Sequence, residues 1–111
     1  MTSTALPIVC TLSAAALPLR LAQMADLGRA ALLDVDHDER RAQLRFARGE
    51  GVRERVQAIA AAESQCCAFL TMHVGENTED VVLVIEAPHG AELVLADLVD
   101  AFRGGRPEAA C

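Results

Sequence analysis

The chain predicts an α+β domain: an antiparallel sheet of about four strands with helices packed on one face. Three observations carry this reading. Apolar residues at helical spacing alternate with short runs of strand character, giving the order β-α-β-β-α-β-β-α. A helix followed by a hairpin occurs twice, at a spacing of about 36 residues, the arrangement of a duplicated α-β-β unit, although identity between the halves is too weak to establish one. The strand around Leu44 and Phe46 alternates with Gln43 and Arg45, the period of a sheet with one wet face.

The elements follow in order. Pro7-Ile8-Val9-Cys10-Thr11-Leu12 reads as a short strand, and Ser13–Ala16 as a turn. Pro18 suits the first turn of a helix, where its missing N–H is no loss. Leu17, Leu21, Met24 and Leu27 keep helical spacing up to Gly28, the expected stop. Segments 31–36 and 42–47 form a hairpin around the charged run His37-Asp38-Glu39-Arg40, and Gly49-Glu50-Gly51 breaks the chain before a helix from Val52 to Gln65. Ala68–Val74 is the next strand and Gly75–Glu79 its loop. Val81–Ala87 is so continuously apolar that it predicts a central strand, covered on both faces or at an interface. Pro88-His89-Gly90 opens a third helix with Val94, Leu95, Leu98, Val99 and Phe102 on its core face. Residues 1–103 are expected to make one domain, and 104–111 a flexible tail.

Composition narrows the function. The 111 residues are 52% hydrophobic, but only three are aromatic, so Leu, Val and Ala must fill the core. A net charge of −6, with Arg the sole basic side chain type besides His, argues against a nucleic-acid partner, which needs a basic patch. The apolar start Met1–Leu19 has no positive n-region and is interrupted by Pro7 and Pro18, unlike a signal peptide. No segment approaches the roughly 20 apolar residues of a membrane span. The expectation is a cytoplasmic protein with no membrane partner. There Cys10, Cys66, Cys67 and Cys111 would be thiols, and metal binding or reactivity outranks a disulfide framework.

The run Glu63-Ser64-Gln65-Cys66-Cys67-Ala68-Phe69 concentrates the chemistry. Neighbouring cysteines bond to each other only in a strained ring, but both sulfurs can turn to one soft ion. On a helical wheel advancing about 100° per residue, Glu63 falls about 20° from the centre of the Val56–Ile59–Ala60 stripe. A carboxylate on that face needs a metal, a thiol, an Arg or backbone donors as partner. The alternative is that the helix ends early and Glu63 sits at a solvated rim. A thiol near a helix C-terminus is a poor activated nucleophile, because the dipole there disfavours a thiolate. An incoming cation displaces the thiol protons itself, so the setting still suits Hg(II), As(III), Cu(I) or Zn(II). Joint ligation requires the helix to stop at the pair. Cys10 is the expected third ligand; His73 and Cys111 are weaker candidates, and His37 and His89 sit in loops.

Glu63-x-x-Cys66-Cys67-x-Phe69, with the strand ending Ala87-Pro88, resembles a group of small bacterial proteins and appended domains. Similar segments occur after the DNA-binding part of some MerR-type regulators and as free-standing actinobacterial proteins. The start Cys10-Thr11-Leu12 with Leu17-Pro18-x-Arg20-Leu21 is similar to the free-standing members. The resemblance implies soft-metal or metalloid handling through Cys66 and Cys67.

Three functions are therefore expected to compete. The leading one is a thiol-based binding protein for a soft metal or metalloid ion, with Cys66, Cys67 and Cys10 as ligands. The second is an enzyme, cleaving an organometal or exchanging thiols, with Glu63 as the catalytic proton donor. The third is an interaction module that forms a homodimer through the Val81–Ile85 strand and third helix.

Overall fold

A computed structural model describes residues 17–104, with the side chains of Leu17, Pro18 and Cys66 left aside. The expected strand at 7–12 and all of the tail at 104–111 except Gly104 lie outside the described residues, as do Cys10 and Cys111. Within them the order is α1 (Leu17–Ala31), β1 (Leu32–His37), β2 (Arg41–Ala47), α2 (Val52–Cys66), β3 (Thr71–Glu76), β4 (Asp80–Glu86) and α3 (Glu92–Phe102). The fold is α+β, with the helix and strand sequence that the pattern predicts.

The four strands make one antiparallel sheet in the order β1-β2-β4-β3. Each hairpin pairs locally, and β2 joins β4 in a seam running from Arg41 beside Glu86 to Ala47 beside Asp80. The strand singled out by its apolar run is thus central, hydrogen-bonded on both sides. Its inner residues Val81, Leu83 and Ile85 are buried with Ala42, Leu44 and Phe46 of β2, whereas Val82 and Val84 on the other face are half-buried beside Gln43 and Arg45.

The helices cover the inner face, and one core cluster draws on all of them. Phe46 and Phe102 meet edge to face, with ring centroids 5.7 Å apart and planes at 65°, an arrangement that adds about 1 kcal/mol to their burial. α2 starts after Gly51, whose φ of 76° is the left-handed conformation that a glycine adopts without penalty. The core face of α3 is the predicted one, with Ala101 added.

The stop expected at Gly28 does not occur: α1 runs on to Ala31. Gly28 serves packing instead. A Cβ at this position would collide with the carbonyl oxygen of Phe102, so the missing side chain lets the end of α3 lie against α1. Tertiary contact overrides the weak helix propensity of glycine here.

The two halves match in element length, with helices of 15 residues and strands of six and seven in each. They differ at the joint between helix and hairpin. Ala31 passes directly into β1, whereas α2 is separated from β3 by the segment Cys67–Leu70, and the strand expected from Ala68 begins at Thr71. This added turn holds Cys67.

Candidate functional site around Glu63 and Cys67

α2 presents Val52, Val56, Ile59, Ala60 and Glu63 to the core at helical intervals. The carboxylate is therefore carried inward by the same stripe that anchors the helix, and Glu63 is only 1% exposed. Of the two readings open in the sequence, the buried one holds.

The helix stops at the cysteine pair. Cys67 leaves it with φ −117° and ψ 71°, and its N–H donates to the Glu63 carbonyl oxygen at 2.6 Å. The Leu70 N–H then donates to the Cys67 carbonyl oxygen at 2.9 Å, closing the turn. The carbonyl oxygens of Glu63 and Cys67 are thus both used, and the Cys67 side chain is driven fully into the core.

Glu63 has two neighbours at its carboxylate. Arg20 Nη1 donates to Oε2 at 2.7 Å, and Cys67 Sγ lies 3.9 Å from Oε1. Arg20 reaches in from the first turns of α1 with its side chain 16% exposed. Burial pushes the Glu63 pKa above the usual carboxylate range, and the Arg20 guanidinium opposes that shift by hydrogen bond and charge. No buried side-chain nitrogen or oxygen among the described residues lacks a partner.

Cys67 is disulfide-bonded, so it is not the free thiol expected from the sequence. A disulfide sulfur has no proton, so its approach to Glu63 is a packing contact. Once reduced, the same sulfur is a weak S–H donor within reach of Oε1.

The other predicted residues separate from this centre. His73 is exposed on the outer sheet face, opposite Val84, and points away from the core. His37 and His89 are exposed, the latter 3.5 Å from Glu92. Among the described residues, no three His, Cys, Asp or Glu side chains group to hold a metal ion. Any thiolate set around Cys67 would need sulfurs from cysteines outside the described side chains, Cys10, Cys66 or Cys111.

Arg20 is the partner that the sequence reading missed. A signal for it existed: it is the sole charged side chain in the first two turns of α1, set among leucines. Pairing it with Glu63 requires knowing that α1 and α2 lie side by side.

Comparison with known proteins finds no kin: no family model matches the chain, and no curated protein and no solved structure matches it. No described helix is long and apolar enough to cross a membrane.

Proposed function

We propose that the chain is a thiol-based binding protein whose cargo is a soft metal or metalloid ion, with Cys66 and Cys67 as ligands and Cys10 as the third. The observation that carries this reading is the pairing of a buried sulfur with a buried carboxylate at the end of α2, Cys67 Sγ and Glu63 Oε1 being 3.9 Å apart. Once the Cys67 disulfide is reduced, its thiol must shed a proton to bind a soft ion, and the carboxylate beside the sulfur provides a first acceptor. The helix end supports joint ligation, since adjacent residues on a continuous helix diverge by about 100°. Three sulfurs favour Hg(II), As(III) or Cu(I) over Zn(II), which prefers four ligands. The likeness of the Glu63–Phe69 run to metal-responsive proteins points the same way.

Reduced protein exposed to Hg(II), As(III) and Cu(I) and weighed intact by native mass spectrometry should retain one ion per chain. A Cys66→Ala/Cys67→Ala variant should retain none. Equal retention by both proteins would sink the proposal.

The disulfide at Cys67 favours a second reading, thiol–disulfide exchange with a small thiol, in which Glu63 gives a proton to the departing Cys67 sulfur. Turnover of a small disulfide that falls at least tenfold in Glu63→Gln, with ion retention unchanged, would select this reading over simple binding.

A further inference from the structure

The two edges of the sheet are finished differently. β1 is broken by a bulge between Leu32 and Asp34 and carries Asp34 and Asp36, features that keep further strands away. β3 has neither a bulge nor a proline: Thr71–Glu76 pairs with β4 in unbroken register, and its one carboxylate, Glu76, stands at the far end. Among the described residues no strand lies on the outer side of β3. Its inward side chains lack full cover as well. Met72 and Val74 are half-buried, whereas Ile85 and Leu83 opposite them are 0% and 1% exposed.

The chain has a segment of the right length in the right place. Arg20, near the start of α1, bonds Glu63 in the last turn of α2, and α2 leads through residues 67–70 into Thr71. The entry to α1 therefore stands near the start of β3. The strand-like run Pro7-Ile8-Val9-Cys10-Thr11-Leu12 ends five positions before Leu17. Those five residues reach at most about 17 Å, and a six-residue strand covers about 20 Å, the length of β3. A segment that lies along β3 and ends near its start runs antiparallel to it, as every other pair in the sheet does.

The disulfide at Cys67 points to the same segment independently. Cys67 is fully buried just before β3, so the cysteine it joins packs against the core there. Cys66, its chain neighbour, could close only a strained ring. Cys111 follows α3, which ends against Gly28, about 12 Å along α1 from Arg20. Cys10 lies within the segment and shares one strand face with the apolar Ile8 and Leu12. We infer that residues 7–12 add a fifth strand antiparallel to β3, with Ile8, Cys10 and Leu12 turned to the side of Met72 and Val74, and with Cys10 the disulfide partner of Cys67. This does not rest on the ion-binding reading, to which it gives the position of the third sulfur. Two molecules of a small thiol would return Cys10 and Cys67 as neighbouring thiols and leave as one small disulfide.

Full chain purified without reductant, alkylated and digested with trypsin should yield residues 1–20 joined to residues 56–103, and Cys66→Ala should keep that junction. A bond to the C-terminal peptide carrying Cys111, a ring within residues 56–103, four alkylated thiols, or loss of the junction in Cys66→Ala overturns the inference. Hydrogen exchange reads the strand itself. Successive N–H groups of β3 point to opposite sides, so the set turned away from β4 should be protected by the added strand. In Ile8→Pro/Val9→Pro, which removes one donor on each side of the segment, that set should exchange about tenfold faster. Unchanged β4 amides report that the rest of the sheet is intact. Equal exchange of the outer set in the parent and the double variant overturns the inference. Protection that grows with protein concentration, alongside a mass of two chains, assigns the edge to a second copy and overturns it too. No ion enters either measurement: a fifth strand in a protein that retains no ion defeats the ion reading alone, and ion retention without the strand defeats this inference alone.

Discussion

Glu63 combines two demands that oppose each other. Its place in the core stripe of α2 removes it from water, which favours the neutral acid, and Arg20 at 2.7 Å favours the anion. Burial wins in part, so the folded pKa lies above the ordinary value of about 4.3. A carboxyl whose pKa is raised by folding lends its full stability below the unfolded pKa and loses it as pH rises through the folded one. Removing Arg20 removes the opposing cation and enlarges this loss. An Arg20→Met variant should be less stable than the parent by about 3 kcal/mol at pH 7.5, the lower range for breaking a buried pair. The gap should narrow towards pH 4.5, as Glu63 takes up its proton. Urea unfolding at the two pH values measures it, and a gap independent of pH would contradict this account. The acidic position was legible in the sequence because a wheel needs only the local period. Arg20 was not, because α1 and α2 meet across 43 positions of chain.

At the scale of elements, Gly28 shows why local signals mislead. Glycine after a helical run ordinarily marks a C-terminus, and here the helix continues for three more residues because α3 ends against it. Two effects set the outcome of Gly28→Ala, and they differ in sign. Helix propensity alone would stabilise by about 1 kcal/mol. Overpacking a closed contact costs roughly 1–3 kcal/mol, and backbone, which yields little, is what the new methyl group meets. The variant should therefore lose up to about 2 kcal/mol net in thermal or chemical unfolding. A gain would mean that α3 withdraws freely from α1. The helix end at Cys66 illustrates the opposite case. A strand-like run after the pair made a stop there readable, but the turn Cys67–Leu70 was not, since no glycine or proline marks it.

On the whole-molecule scale one side chain ties three strands across the outer sheet face. Arg45 of β2 grips Asp34 of β1 through Nε at 2.9 Å and Nη2 at 2.6 Å, and Asp80 of β4 through Nη1 at 2.7 Å. Three strands are spanned by one guanidinium. The Arg45 hydrogen bonds hold the Asp34 carboxyl below its usual pKa. A carboxyl lowered by folding contributes above its unfolded value of about 3.9 and stops contributing as pH falls through the folded one. In Arg45→Gln the Asp34 pKa should return upwards in a carbon-detected titration, and the acid limb of unfolding should begin at higher pH. An unchanged Asp34 pKa would show that the bidentate pair does not persist in solution. Alternation of polar and apolar residues revealed which face of β2 is wet. It did not reveal that Arg45 is shared, because strand order β1-β2-β4-β3 is a global property. The same limit applies to the thiol centre: the motif marked Glu63, Cys66 and Cys67, while the disulfide state of Cys67 is a matter of redox conditions that residue order does not encode.

The seam between β2 and β4 has a consequence for how the chain reaches this fold. Each hairpin closes over a short loop, at little entropic expense, but the seam sets Arg41 beside Glu86 and must close the whole of α2 and β3 into one loop. Such distant pairings form after local ones and dominate the folding time. Two preformed hairpins meeting edge to edge would then be the rate-limiting encounter, with β2–β4 contacts the last to be gained and, by microscopic reversibility, the first to be surrendered.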